Sequence, residues 1–353
     1  MLKYSRKRDW LKLHNYILEE ILDKLPLVEY VRFGLVCKFW RIVFLENLSN
    51  KKPLLPGLVV VPKDTSETCK LYSLFDKRFC DFSLYMPHDF CYSGCSFGWL
   101  IMNKWKDRMY YFQLVNPFLS KNRIIQIPPL NFDPNCVGAP TFRKFVLSCD
   151  PITNPDNFVI MGIFRNCYFV FFTPGRRNWC AFERNNSLMI SSLIFFNKTK
   201  QFYAVDTSGA VVAIEIDPIP KIIKVASANP RHEHSEKYII ESSSGELLQV
   251  HKEIFYSNIS ELFVDKLDLV TGEWIPMLSL GDQTLFLSYQ FAICISASTF
   301  PACKSNCIYF VHLGFGKSNV MAVFNLENKT NDILLETEKS DHVPIWLEPT
   351  ISK

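Results

Sequence analysis

The chain has 353 residues, 39 Lys and Arg against 35 Asp and Glu for a formal net charge of +4, and 48% hydrophobic residues. That is room and apolar material for one large domain or two smaller ones, and the mild charge lacks the basic footprint that tracks nucleic acid. The absence of a run of about 18 apolar residues predicts no helical membrane span.

In chain order, residues 1–9 read as a basic tail. No apolar run follows it directly, which predicts no secretory leader. Arg6-Lys7-Arg8 is read as solvated rather than as an import signal. Residues 10–46 carry three short helices. Asn15 is the expected N-cap of the first, with Glu19 and Glu20 near its positive end. Ile17, Leu18, Ile21, Leu22 and Leu25 recur at helical spacing, and Pro26 ends the helix. Val28, Val31 and Leu35 carry the second helix to Gly34. Val36, Cys37, Trp40, Val43 and Phe44 carry the third. The apolar stripe is wide, and a unit of about 40 residues rarely buries enough surface to stand alone. A partner protein is the expected cover.

Residues 47–56 read as a linker broken by Pro53 and Pro56. From 57 to 353 the periodicity is that of strands, and 30 phenylalanines favour the same state. Short apolar runs such as 58–61, 109–115, 142–147, 168–172, 201–205 and 307–312 alternate with turn residues. About 290 residues built this way exceed a sandwich and suit a β-propeller, for which blades of about 40–45 residues give six or seven. The closing segment Val343-Pro-Ile-Trp-Leu-Glu-Pro is too apolar for a free tail. It is expected to form or border a strand on the blade begun near Leu58, with Trp346 buried at the seam.

Residue patterns for chemistry are sparse. There is no Gly-x-Ser-x-Gly elbow, Gly-rich phosphate loop or His-Glu-x-x-His helix. The twelve cysteines read as reduced thiols, most packed as small hydrophobes. Cys91/Cys95 and Cys303/Cys307 have a spacing that zinc tolerates, but no matching histidines, and are read as buried strand and turn residues. His232-Glu233-His234 reads as a solvated loop. Asp64, Asp81, Asp89 and Asp107 show no paired partner for acid/base work. Trp99, Trp105, Trp179, Trp274 and Trp346 are read as blade packing, with an exposed recognition rim as the alternative. Arg176-Arg177 reads as a solvated hairpin tip, with an acidic or phosphorylated partner as its alternative.

Two resemblances organise these pieces. Ile21-Leu22-Asp23-Lys24-Leu25 and Val36-Cys37-Lys38-Phe39-Trp40-Arg41 resemble the F-box, although Leu13 is followed by His14 where that family has proline. Phe97-Gly-Trp-Leu, Leu114-Val-Asn-Pro-Phe, Ile127-Pro-Pro-Leu, Phe202-Tyr-Ala-Val-Asp, Phe263-Val-Asp-Lys-Leu-Asp and Pro344-Ile-Trp-Leu-Glu-Pro resemble, in this order, the KIB-type β-propeller of plant F-box proteins. The resemblance implies a mainly β chain: a six- or seven-bladed propeller behind a three-helix F-box. It implies docking to a Skp-type adaptor, and through it to a cullin scaffold, by Leu13, Ile17, Leu18, Ile21, Leu22, Leu25, Val28, Val31, Val36, Cys37 and Trp40. Trp40 is the expected dominant contact. The propeller would hold an unidentified target protein. Such a subunit of a ubiquitin ligase needs no catalytic residue, cofactor or metal, and acts in the cytoplasm or nucleus. No nucleic-acid or membrane partner is expected. Two alternatives are a non-degradative scaffold and a propeller enzyme using channel carboxylates.

Overall fold

The fold is that of a computed structural model, which describes residues 10, 13–25, 27–48, 57–60, 68–74, 77–85, 90–119, 123–131, 142–164, 168–176, 178–183, 189–229, 235–254, 260–300, 303–313, 318–338 and 344–347. Three helices come first: α1 (Asn15–Lys24), α2 (Leu27–Phe33) and α3 (Lys38–Leu48). No helix among the described residues is long and apolar enough to cross a membrane.

From Gly57 onward the regular structure is almost all β. Strands β1 (Gly57–Val60), β2 (Thr68–Ser73) and β3 (Arg78–Tyr85) begin a first sheet. A second is β4 (Cys91–Ser96), β5 (Trp99–Lys106), β6 (Met109–Asn116) and β7 (Arg123–Asn131). A third is β8 (Phe142–Leu147), β9 (Ile160–Phe164), β10 (Tyr168–Phe172) and β11 (Cys180–Glu183). A fourth is β12 (Ile190–Phe196), β13 (Gln201–Asp206), β14 (Val211–Glu215) and β15 (Lys221–Ala226). A fifth is β16 (Glu236–Glu241), β17 (Leu247–Ile254), β18 (Ser260–Leu267) and β19 (Trp274–Met277). The sixth holds β20 (Gln283–Ser288), β21 (Phe291–Ser296), β22 (Cys307–Leu313), β23 (Ser318–Asn325) and β24 (Thr330–Glu338) in the order β21-β20-β22-β23-β24. Within it β20 and β22 run parallel. Last, β25 (Ile345–Leu347) returns to the first sheet and pairs antiparallel with β1, setting Trp346 opposite Leu58.

These six sheets are the blades of a propeller. Neighbouring blades meet through their innermost strands, β25 with β4, then β8, β12, β16 and β21 in turn, while β20 meets β25 again. The sequence range of six or seven blades resolves to six. The ring is closed by β25, as the apolar C-terminal segment predicts, and Trp346 is fully buried there.

Each blade buries both faces against its neighbours, which is why its strands carry so many aromatic residues. Phe112 and Phe145 share a cluster between the second and third blades, and Met161, Phe169 and Leu193 one between the third and fourth. Four tryptophans add a polar tie across a blade boundary. Trp99 Nε1 donates to Asp150 Oδ1 (3.0 Å), Trp179 Nε1 to the Pro128 carbonyl (2.7 Å), Trp274 Nε1 to the Ser227 carbonyl (3.2 Å) and Trp346 Nε1 to the Leu287 carbonyl (3.0 Å). Blade packing therefore accounts for these four. Trp105 alone of the five is exposed, lying against Tyr110.

Turns at the blade edges repeat one device. Asp206, Asp268 and Asn325 each end or follow a strand and accept backbone N–H bonds from the turn with a side-chain oxygen. This is the Asx-type turn that short polar residues favour.

The inner strands are crowded. A Cβ on Gly94 in β4 would strike the backbone carbonyl of Phe145 in β8, an atom that cannot swing aside. Gly94→Ala should therefore destabilise the propeller by about 1–3 kcal/mol through overpacking. Gly175→Ala, where a Cβ meets nothing within 4 Å, should stay within about 0.5 kcal/mol of the parent. Urea midpoints of the two variants check the contrast.

Candidate functional site

The N-terminal helices are built from their caps inward. The N-cap of α1 is His14, in extended backbone (φ −69°, ψ 146°), and its carbonyl accepts from Ile17 and Leu18 N–H. Asn15, expected as the cap, is the first helical residue, and no acidic residue falls in the first turn. Cys37, expected inside the third helix, instead precedes α3 and caps it: its carbonyl accepts from Arg41 N–H and its sulfur from Trp40 N–H at 3.4 Å. That is the geometry of a Ser or Thr cap, made with a softer acceptor. The Trp40 ring stacks on Phe33 of α2, with centroids 4.5 Å apart at 26°. Gly34 at the α2–α3 corner leaves space that a Cβ would lose to the Phe44 ring. The signature Val36-Cys-Lys-Phe-Trp-Arg thus sets the angle between two helices.

The expected docking residues differ in how far they are exposed. Leu18, Leu22 and Val31 are at most 1% exposed and belong to a cluster that runs on into Leu58, Val59 and Leu71 of the first blade. Their side chains are buried in the contacts among the three helices, whose cluster continues into the first blade. Leu13, Ile21, Leu25 and Trp40 pack partly buried against the same cluster. Ile17 and Cys37 are half-buried, Val36 is 53% exposed, and the side chain of Val28 lies outside the described residues. Trp40, the expected dominant contact, also packs internally, partly buried and stacked on Phe33.

The outward apolar row is a different one. Phe39, Ile42 and Leu45 of α3 are exposed, next to Val36, with Trp10 and Tyr16 also exposed near α1. Trp40, Val43, Phe44 and Asn47 occupy the i, i+3, i+4, i+7 positions of the inner face, where Val43, Phe44 and Asn47 are buried and Asn47 Nδ2 donates to the Val43 carbonyl at 3.0 Å. A helical wheel holds this signal: once those four point inward, Phe39, Ile42 and Leu45 must point out.

At the centre of the propeller, inner strands of five blades line a cavity of about 320 Å³. Among the described residues its one lining carboxylate is Glu241, whose Oε2 accepts from the backbone N–H and side-chain Nδ2 of Asn197, both at 2.9 Å. General acid/base work by channel carboxylates needs two groups in reach, and the described lining residues supply one. A Ser/His/Asp row exists in the fifth blade: Ser235 Oγ lies 3.4 Å from His251 Nδ1, and His251 Nε2 lies 3.0 Å from Asp265 Oδ2. Asn229 Nδ2 donates to the same carboxylate at 2.8 Å. None of these residues lines the cavity. His251 is fully buried, and the row ties the segment after β15 to β17 and β18.

The remaining sequence candidates are placed as follows. A bulge between Tyr92 and Gly94 separates exposed Cys91 from buried Cys95. Cys303 and Cys307 are both buried, and burial pushes the Cys303 thiol up to about 12. No group of three or more His, Cys, Asp or Glu among the described residues could hold a metal ion. Arg176 pairs with Asp217 at 3.1 Å and lies over the Phe171 ring. Asp107 is exposed in a turn at φ 51°. Arg177, Asp64, Asp89, His232, Glu233 and His234 lie outside the described residues, as does the side chain of Asp81.

Residues 71–327 match the model of the KIB1-4 beta-propeller, and residues 10–52 match the F-box domain. Among curated proteins the chain is similar to three from Arabidopsis thaliana. F-box protein At2g05970 is 23% identical, over 98% of this chain and 94% of that one. F-box/kelch-repeat protein At1g64840 is 24% identical, over 83% and 81%. F-box/kelch-repeat protein KIB1 is 24% identical, over 88% and 79%.

Proposed function

Because the chain belongs to the KIB1-4 β-propeller family and carries an F-box ahead of the propeller, we propose that it is the substrate-receptor subunit of an SCF-type ubiquitin ligase. The F-box docks on a Skp-type adaptor that bridges to a cullin, and the propeller holds a target protein. The observation that carries this reading is the outward row Val36, Phe39, Ile42 and Leu45. The inner side of the helices is already buried in a cluster that the three helices share with the first blade, so this row is apolar surface left over for a second protein. Ubiquitin transfer belongs to other subunits, and no bond-making step is asked of this chain.

Reconstitution tests the proposal. The full chain, mixed with a Skp-type adaptor and a cullin, should elute as one complex. Proteins captured by the propeller should rise in abundance when the proteasome is blocked. A complex that forms while its captured proteins keep their abundance would support the scaffold alternative. Failure of the complex to form would remove the ligase reading.

His14→Pro restores the family's opening pair. At φ −69° the backbone already suits proline, so the change should raise stability by about 0.4–1 kcal/mol through the unfolded state. Adaptor affinity should be unchanged or slightly higher. A thermal melt and a binding titration check both, and a large loss of affinity would show that the His14 side chain makes a contact of its own.

A further inference from the structure

A buried lysine with no ion-pair partner among the described residues lines the channel cavity. Lys144, on inner strand β8, is 3% exposed and lines the cavity. Its Nζ donates to Ser192 Oγ of β12 at 3.1 Å, and no carboxylate is in reach of it among the described residues. A buried ammonium with only a hydroxyl for company is costly, and it becomes favourable when an anion arrives to pair with it. The lining is mixed: Phe97, Val146, Phe195 and Phe291 give apolar wall, and Ser96, Asn197, Glu241 and Ser242 give polar wall, with the Glu241 carboxylate already held by Asn197. Phe97 is held at φ 52° in the two-residue turn between β4 and β5. Gly98 beside it is at φ 73°, and a tight hairpin turn takes positive φ at both of its central residues. A volume of about 320 Å³ lies at the small end of ligand pockets.

We propose that this cavity binds a small organic carboxylate, its acid group paired with Lys144 Nζ and its apolar body against the phenylalanine walls. The carboxylate is either that of a free small acid or the C-terminus of a peptide; the recognition chemistry is the same. The site is separate from the helical docking face and does not depend on the adaptor.

Protonation gives the site a signature. Burial pushes the Lys144 ammonium down to about 7. The other titratable groups lining the cavity are Cys95 from β4, Glu241 from β16 and Cys294 from β21. Burial pushes the Cys294 thiol up to about 11, so it stays uncharged near neutrality. The carboxylate binds the ammonium form. Binding at pH 8.5 therefore takes up a proton, whereas at pH 6.5 most of the lysine already carries it.

The test is calorimetric titration of the full chain with 3-phenylpropionate, and with the tripeptide Gly-Gly-Phe as free acid and as amide. At least one free acid should bind saturably, about twentyfold more weakly at pH 8.5 than at 6.5, while the amide should not bind. Lys144→Met keeps the side chain's bulk and removes its charge. It should melt no lower than the parent and bind the acid at least about tenfold more weakly. Tighter binding of the peptide acid would identify a chain terminus as the ligand, and tighter binding of 3-phenylpropionate a free acid. No saturable binding of either acid, binding insensitive to pH, or affinity unchanged in a folded Lys144→Met protein would overturn the proposal.

Discussion

Replacing Trp346 with alanine should cost the protein about 3–5 kcal/mol of stability, the range for removing a large aromatic from a packed core. Three contacts are lost together. The indole is fully buried and meets the Phe286 ring edge-on at 4.9 Å. Its Nε1 donates to the Leu287 carbonyl at 3.0 Å, across the boundary between the last blade and the first. It also sits opposite Leu58 in the strand pair that closes the ring. Trp346→Phe keeps most of the bulk and loses the N–H, so its cost should be nearer 1 kcal/mol. Ending the chain after Asp341 removes β25 entirely, exposes the edge of β1 and should lead to aggregation. Urea midpoints and thermal melts rank the three. A truncated protein melting within about 2 °C of the full chain would contradict the closure.

The second large effect is expected on the outer face of α3. Phe39→Asp with Ile42→Asp places two charges on a row that is exposed in this chain and that the proposed adaptor contact would bury. An unpaired charge inside an interface is strongly unfavourable, and removing two apolar anchors adds to it. Adaptor affinity should fall at least about 100-fold. The melting temperature should hardly move, because neither side chain supports the inner cluster. Trp40→Ala is the less clean probe. It unstacks Phe33, so a loss of binding would mix with a loss of helix packing.

The contrast between Trp40 and Phe39 shows how far the sequence could be read. Apolar spacing located α1, α2 and α3, but size alone does not say which apolar group faces in. The decisive fact is how α1, α2 and α3 pack on one another, in a cluster that continues into the first blade. Strands were legible where both faces are buried by neighbouring blades. The runs at 142–147 and 168–172 coincide with β8 and β10. The apolar runs do not mark β3, β4, β15, β16 or β19. The inner strand β4 reads Cys-Tyr-Ser-Gly-Cys-Ser because strands converging on a channel leave little room for bulk. An outer strand such as β15, with Lys221, Lys224 and an exposed Ile223, half faces water, and β19 carries a proline that only an edge strand accepts. Lys144 gave no sequence signal at all. One lysine among strand residues reads as a surface group until the blades are placed around it.

Direct titration of a purified Skp-type adaptor into the full chain, beside its Phe39→Asp/Ile42→Asp variant, tests the central claim most directly. The parent chain should form a saturable, stoichiometric complex, and the variant should bind at least about two orders of magnitude more weakly. No binding by a folded parent chain, or equal binding by both proteins, would contradict it.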